Sequence, residues 1–200
     1  MTYFVKEIFL SLQGEGMNTG KTAVFCRFAG CNLRCSFCDT DFIGTQGMQG
    51  GTFSRSNDLA KIIHSLWPEQ TSEKFVIFTG GEPALQLDNS LVHAVQRLGF
   101  KTAIETNGTV PLKTDEIDWI CVSPKVGSEL KVVHGHEMKV VYPQEGLNLK
   151  HYEMMDFEHF LLQPLDNEKQ WENIQLAVQY CLSHPRWRLS LQTHKLIHIP

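Results

Sequence analysis

Residues 28–42, FAGCNLRCSFCDTDF, constrain this chain more than any other segment, because they hold three cysteines with CxxxCxxC spacing. Gly30, Asn32 and Asp39 make the segment loop-like. Disulfide-rich scaffolds are normally short and secreted. The segment MTYFVKEIFL lacks the basic stretch followed by a long apolar run that is typical of an export signal, and no apolar stretch approaches the roughly 20 residues of a membrane helix. We therefore expect reduced thiols and a cytoplasmic location.

The three clustered thiols need a chemical explanation, whereas Cys26, Cys121 and Cys181 stand singly among apolar residues and are expected to pack. A structural zinc site takes four ligands and would have to recruit Cys26 or a histidine. A [4Fe–4S] cluster can be held by three cysteines, which leaves one iron open. The spacing favours the cluster, with zinc and purely structural thiols as alternatives.

The composition is that of an ordinary globular chain, and it predicts one domain over residues 1–200. The chain has 200 residues, of which 42% are hydrophobic and 20% charged. Its formal net charge of -4 argues against a broad nucleic-acid-binding surface.

Apolar, β-branched runs alternate with helical spacing and predict an α/β fold with a parallel sheet. Helices are expected at Leu59–Leu66, at Leu91–Leu98 and at about 169–182. The interval 104–142 is too short for a helix between each pair of strands, so we expect an abbreviated (β/α) barrel with fewer helices than strands. The predicted strands are AVFCRF, KFVIFT, KTAIET, WICVS, MKVVY, HFLLQ and RLSLQT.

Polar clusters follow these strands, and the carboxyl ends of parallel strands meet at one rim where active sites are built. In TGGEP, Gly80 and Gly81 lack side chains and would let the backbone approach a cofactor closely. A tight strand-to-helix turn is the alternative, with Glu82 at an ordinary helix start. The clusters are TGGEP, ETNG, SPK, QPLD and QTHK.

The cysteine motif resembles that of the radical S-adenosylmethionine family, CxxxCxΦC with an aromatic residue at Φ, here Phe37. This resemblance implies a partial (β/α) barrel. It also implies an open iron chelated by S-adenosylmethionine, which one electron splits into methionine and a 5′-deoxyadenosyl radical. TGGEP resembles the segment with which this family contacts the methionine amine.

Further motifs are similar to a branch of that family that makes 7-carboxy-7-deazaguanine from 6-carboxy-5,6,7,8-tetrahydropterin with loss of ammonia. This implies a carbon–nitrogen lyase of queuosine biosynthesis that needs Mg²⁺, takes electrons from a flavodoxin or ferredoxin and forms a homodimer. The alternatives are an activase of the same family that makes a glycyl radical on a partner protein, and a non-catalytic zinc-stabilised binding module. The motifs are SLQGEG, RFAGCNL, CDT, TGGEP, ETNG, SPK, LQPLD and LQTHK…IP.

Residue roles follow from this resemblance. Substrate contacts are expected at Leu12, Gln13, Gly14, Glu15, Arg27, Thr79, His194 and Pro200. Cofactor contacts are expected at Phe37, Cys38, Asp39, Gly80, Gly81, Glu82, Ser123, Pro124, Lys125, Gln163, Pro164, Leu165 and Asp166. The cluster ligands are expected to be Cys31, Cys35 and Cys38, the Mg²⁺ ligand Thr40, and the catalytic residues Glu105 and Asn107.

The chemistry of these side chains agrees with some of the roles. Arg27 lies in an apolar strand, where a charge needs a partner, and its planar guanidinium suits the substrate carboxylate. Glu105 could serve as general base or be a structural acid. His198, near the chain end, departs from the expected small residue and could crowd the pocket.

Overall fold

A computed structural model describes residues 1–68 and 73–200. In this part of the chain, nine strands form one open sheet in the order β3-β1-β2-β4-β5-β6-β7-β8-β9. The strands are β1 (Tyr3–Leu12), β2 (Thr22–Phe28), β3 (Gly51–Phe53), β4 (Lys74–Gly80), β5 (Phe100–Thr106), β6 (Trp119–Val122), β7 (His134–Tyr142), β8 (Asp156–Pro164) and β9 (Trp187–Leu189).

The predicted parallel sheet is confirmed for β2 and for β4 to β9, each of which runs parallel to its neighbour. Strands β1 and β3 were not predicted, and they extend the sheet in antiparallel fashion. The last predicted strand, RLSLQT, is shorter than expected because only Trp187–Leu189 pairs with β8.

The three predicted helices are present, and two short helices, Leu149–Tyr152 and Thr193–Leu196, were not predicted. The helices are α1 (Ser56–Ser65), α2 (Asn89–Gln96), α3 (Leu149–Tyr152), α4 (Gln170–Ser183) and α5 (Thr193–Leu196). Asp88 begins α2 by accepting a hydrogen bond from the Leu91 N–H through its side chain. In the described chain no helix separates β5 from β6 or β6 from β7, so the sheet has fewer helices than strands, as predicted.

The two faces of the sheet differ in chemistry because side chains alternate along each strand. One face carries the main core, in which Leu59 and Ile63 of α1 and Leu91 of α2 are fully buried. The other face is concave, and its lower part is apolar, with Ala23 and Ile77 buried. Its upper part, at the carboxyl ends of the strands, is polar and positions the site described below.

A search of the described residues for a helix long and apolar enough to cross a bilayer finds none.

We predict that Leu91→Ala lowers the free energy of unfolding by about 2–5 kcal/mol, because it leaves a cavity between α2 and the sheet. The matched control is Leu182→Ala on α4, where the leucine is 78% exposed, and there we expect a loss below about 0.5 kcal/mol. Urea denaturation of both variants gives the comparison. Equal losses would contradict the placement of α2 against the core.

Candidate active site

A cavity of about 520 Å³ opens at the carboxyl ends of the parallel strands, within the usual range of ligand pockets. Most of the residues singled out in the sequence line it. They are Leu12, Gln13, Gly14, Glu15, Arg27, Cys31, Cys35, Phe37, Cys38, Asp39, Thr40, Thr79, Gly80, Gly81, Glu105, Asn107, Ser123, Lys125, Gln163, Pro164, Leu165, Asp166, His194 and Pro200.

Two residues expected to contact the cofactor, Glu82 and Pro124, do not line this cavity. Glu82 is fully buried and its carboxylate accepts hydrogen bonds from the Thr106 hydroxyl and from the N–H groups of Ala84 and Asn107. Burial raises the pKa of the Glu82 carboxyl, and these hydrogen bonds act against that change. In this structure the side chain fixes the turn after β4.

The glycine pair has a structural reason that differs from the one we expected. The Gly81 N–H donates to the Phe28 carbonyl at 3.2 Å, and the Glu82 N–H donates to the Gly30 carbonyl at 2.9 Å. A Cβ atom on Gly81 would overlap the Gly30 carbonyl oxygen. The close approach that requires glycine is therefore made by the backbone at the start of the cysteine loop, although Gly80 and Gly81 also border the cavity.

Hydrogen bonds fix the cysteine loop at both of its ends, and a further contact comes from the residue that follows β5. The Gly30 N–H donates to the Phe42 carbonyl at 3.0 Å, which closes the loop on itself. Asn107, which follows β5, donates through Nδ2 to Asn32 Oδ1 at 3.1 Å and lies 3.9 Å from Cys31 Sγ. Asn107 is thus placed where it steadies the loop that carries the thiols.

The donor set of the cavity suits an iron–sulfur cluster. The Leu33 N–H lies 3.4 Å from Cys31 Sγ, and hydrogen bonds to sulfur are typical of cluster sites. Burial raises the pKa of the Cys31 thiol, whereas coordination to a metal deprotonates a thiol outright. Among the described residues, no three His, Cys, Asp or Glu side chains are arranged to hold a single metal ion.

One buried polar atom also suits a polar ligand. Gln163, at the end of β8, is 7% exposed, and its Oε1 has no hydrogen-bond partner among the described residues. Buried polar atoms are almost always paired. Because Gln163 lines the cavity, a bound donor would satisfy this oxygen.

Lys139 on β7 was missed by the sequence analysis, although it lies at the centre of the cavity wall. It is 4% exposed, and its ammonium donates to Glu15 at 2.7 Å and to Glu105 at 2.9 Å. Glu137, two residues earlier on the same strand face, is also buried. Two charged residues at alternate positions of an apolar strand were the signal that could have identified them.

We call Glu15, Glu105, Glu137 and Lys139 the floor array. Burial raises the pKa of the Glu105 carboxyl, while Lys139 acts to lower it. Burial acts in the same way on Glu15, but Lys139 and Gln192 outweigh it and hold the pKa of Glu15 below its usual value. Two carboxyls beside the same ammonium therefore have pKa values shifted in opposite directions.

The carboxyl-terminal segment closes one side of the cavity. Thr193 donates its N–H to the Gly14 carbonyl at 2.9 Å, and Ser11 donates its hydroxyl to the Pro200 carbonyl at 2.7 Å. Gly14 leaves the space into which His194 packs, since a Cβ atom there would overlap the imidazole. His198 is exposed and does not line the cavity, so the expected crowding is absent from the described site.

Arg27 projects from β2 into the cavity and is not a free surface side chain. Its Nε donates to Glu7 at 2.8 Å, and the guanidinium lies 5.8 Å from the centre of the Phe9 ring. An arginine has five N–H donors, so this ion pair leaves others for a ligand.

Comparisons with known proteins agree with the geometry. A family model described as the radical SAM superfamily, where SAM is S-adenosylmethionine, matches residues 26–137. The 7-carboxy-7-deazaguanine synthase of Burkholderia multivorans is 53% identical over 211 residues that cover the whole of both chains. The protein of the same name from Caulobacter vibrioides is 50% identical, again over the whole of both chains.

The crystal structure of QueE from Escherichia coli has a TM-score of 0.74 and 29% sequence identity to this chain, covering 96% of it and 94% of the other. The match includes the open sheet with few helices. From these similarities, the chain belongs to the radical SAM superfamily and, within it, to the family of 7-carboxy-7-deazaguanine synthases.

Proposed function

We propose that this chain is a carbon–nitrogen lyase that converts 6-carboxy-5,6,7,8-tetrahydropterin into 7-carboxy-7-deazaguanine with release of ammonia. The observation that carries the proposal is one cavity lined by the three cysteines, the arginine of β2 and the charged residues Glu15, Glu105 and Lys139. A metal-binding module would need the thiols alone. An enzyme that acts on a small polar substrate also needs the charged groups around them.

Cys31, Cys35 and Cys38 would hold the [4Fe–4S] cluster, because all three thiols line the cavity and an N–H group points at Cys31. When bound, the cluster and S-adenosylmethionine supply the radical that takes a hydrogen atom from the substrate. Phe37 and Asp39 border the same space.

The segments that follow β4, β6 and β8 would bind S-adenosylmethionine. Gln163 offers its unpaired oxygen to a donor of the cofactor. Lys125 faces the cavity and hydrogen-bonds Ser123 through its ammonium, while burial lowers its pKa. A buried cation beside a polar cavity suits a ligand carboxylate. Pro164, Leu165 and Asp166 complete this side.

The substrate would be held by β2, by the loop after β1 and by the carboxyl-terminal segment. Arg27 is suited to the pterin carboxylate, because the planar guanidinium can donate two parallel hydrogen bonds. Gln13, buried at 6% exposure, hydrogen-bonds Glu105 and borders the cavity. One edge of the pterin ring carries several hydrogen-bond donors. The amide and carboxylate oxygens of this loop can accept hydrogen bonds from them. Leu12, Gly14, Glu15, Thr79, His194 and Pro200 line the same region.

Glu105 would remove the proton from carbon once the hydrogen atom has been taken. Its carboxylate lines the cavity, and burial raises its pKa toward the range in which a carboxylate is an effective base. Through its hydrogen bond to Asn32, Asn107 would hold the cysteine loop at a fixed position relative to Glu105.

Three further features belong to the proposal. Thr40 would ligate Mg²⁺, since its hydroxyl is a hard oxygen ligand at the mouth of the cavity. A flavodoxin or a ferredoxin would supply the electron. The enzyme would act as a homodimer in the pathway to queuosine, the modified nucleoside of transfer RNA.

The first prediction concerns activity. After anaerobic reconstitution with iron and sulfide, the chain should convert the carboxypterin in the presence of dithionite, S-adenosylmethionine and Mg²⁺, with a product identified by ultraviolet absorption and mass. Cys35→Ser should abolish turnover, because one iron loses its thiolate. A reconstituted, brown protein that binds S-adenosylmethionine and gives no deazaguanine would exclude the proposed reaction.

The second prediction concerns the junction between β4 and the cysteine loop. Gly81→Ala should reduce the iron retained after reconstitution by at least about fivefold, because the added methyl group displaces the loop backbone. Gly51→Ala is the control, since its added Cβ would meet only the Phe53 ring at ordinary contact distance. Normal iron content in both variants would show that the junction does not position the thiols.

The third prediction concerns the base. Glu105→Gln should lower kcat by about 10²–10⁴-fold, the usual contribution of a general base. Substrate binding should change much less, because the amide retains the shape and the hydrogen bond to Gln13. Single-turnover assays and equilibrium binding of the pterin separate the two quantities. Unchanged turnover with normal binding would remove Glu105 from the mechanism.

A further inference from the structure

Strand β7 carries two buried residues of opposite charge, Glu137 and Lys139, of which Lys139 lines the cavity. Glu137 accepts a hydrogen bond from the Met17 N–H at 3.0 Å and from the Cys121 thiol at 3.4 Å. It thereby fixes the loop after β1. Lys139, one full strand repeat further on, donates to Glu15 and Glu105 and joins that loop to β5.

Exposure to water does not explain why residue 139 is a lysine, because its side chain is buried. It is 4% exposed, and both the lysine and its two carboxylate partners border the cavity. Removing an ammonium from water costs several kcal/mol unless carboxylates surround it. A purely structural tie at this position could be made by an uncharged side chain, so the charge itself calls for a function.

We propose that Lys139 is a positioning residue for the reaction, whose buried ammonium keeps Glu105 negatively charged and fixed in place so that it can accept a proton from the bound substrate. The proposal rests on the function proposed above and deepens it, because it names the group that controls the base.

The charges that face Glu105 come from every element around it. Cys121 lies on β6, Glu137 and Lys139 on β7, and Glu15 in the loop after β1. Burial, Glu137 and Glu15 raise the pKa of the Glu105 carboxyl, and Lys139 alone among these four neighbours lowers it.

Two more titratable groups stand further out and act on the array through Glu15 and Lys139. They are Lys125 after β6 and His194 on α5. On β4 the residues that line the cavity are Thr79 and Gly80, neither of which titrates.

The ammonium is a permanent member of the array. Burial alone would lower the pKa of Lys139, but Cys121, Glu105, Glu15 and Glu137 outweigh it and hold that pKa well above its usual value. Lys139 therefore stays protonated while Glu105 titrates. The ammonium hydrogen-bonds the carboxyl groups of Glu15 and Glu105, so it favours the charged form of Glu105, whereas burial and the neighbouring carboxyls favour its uptake of a proton.

The proposed proton transfer from the substrate to Glu105 conserves atoms and charge. After the hydrogen atom has left, a remaining C–H bond of the substrate breaks, and its electron pair stays on the substrate. The proton bonds to a carboxylate oxygen of Glu105, which becomes neutral. Lys139 keeps its three N–H bonds and loses one of its two anionic partners.

The test compares the pH dependence of kcat/KM in variants with opposite expected effects. Lys139→Met removes the cation, so the pKa of Glu105 rises and the acidic limb should move up by about 1–3 pH units. Lys139→Arg keeps the charge, and its limb should stay within about 0.3 units of the wild type while kcat falls. Glu15→Gln removes a like charge, so its limb should move to lower pH.

The control is Lys131→Met, which removes a surface lysine paired with the exposed Glu129. Its limb should coincide with that of the wild type. A merely structural defect would lower the activity of Lys139→Met without moving its acidic limb.

A second measurement does not depend on turnover. Carbon-13 NMR of the glutamate side-chain carboxyls in the full chain without its cluster, with Glu105 assigned through Glu105→Gln, gives the midpoint of this group directly. The midpoint should rise in Lys139→Met and fall in Glu15→Gln. If Lys139→Met does not fold, the neutral variant Lys139→Gln takes its place in the titration.

The two proposals can fail separately. A wild-type enzyme that makes no deazaguanine would remove the proposed function, and the NMR titration would still test the control of Glu105 by Lys139. An active wild type with an unmoved limb and an unmoved midpoint in the neutral Lys139 variant would overturn the inference about Lys139.

Discussion

The site depends on one close contact between two backbone segments, residues 28–31 at the end of β2 and residues 80–82 at the end of β4. Two hydrogen bonds join them, and the absence of a Cβ atom at Gly81 permits the approach. Because both segments leave adjacent parallel strands, the contact fixes the cysteine loop over the rim of the sheet. A loop free to move could not keep three thiols around one cavity. Glu82 supports this contact from below, where its carboxylate bonds the turn and the residue after β5.

The concave face of the sheet changes from apolar to charged along the strands. Ala23 and Ile77 fill its lower part, and the charges gather at the upper end around Lys139. Placing these charges together in a poorly hydrated cavity is unfavourable unless they are mutually paired. Pairing through Lys139 makes the arrangement stable, and it also ties the loop after β1 to β5. The same contacts that offset the desolvation of the ammonium also hold the carboxyl group of Glu105 in place.

The carboxyl-terminal segment adds a third set of contacts between distant parts of the chain. Lys195 bonds Asp39 of the cysteine loop and Asp166 after β8, and Thr193 bonds the Gly14 carbonyl. These contacts enclose the cavity on the side where the parallel sheet ends at β9. The cysteine loop, the loop after β1 and the chain end are therefore parts of one wall. A displacement of any one of these three parts affects the other two, because Thr193 and Lys195 contact them from neighbouring positions of the chain end.

The sequence by itself determined the features that are local: the cysteine spacing, the helices α1, α2 and α4, and the polar residues that end each parallel strand. These features depend on residues that are neighbours along the chain, so the sequence pattern alone predicts them. Tertiary structure alone decided the rest. It added β1 and β3 in antiparallel pairing, assigned Gly81 and Glu82 to the junction with the cysteine loop, and brought Lys139 between Glu15 and Glu105. Such roles depend on which residues from distant strands meet at one rim, and neither periodicity nor residue type along a single strand contains that information.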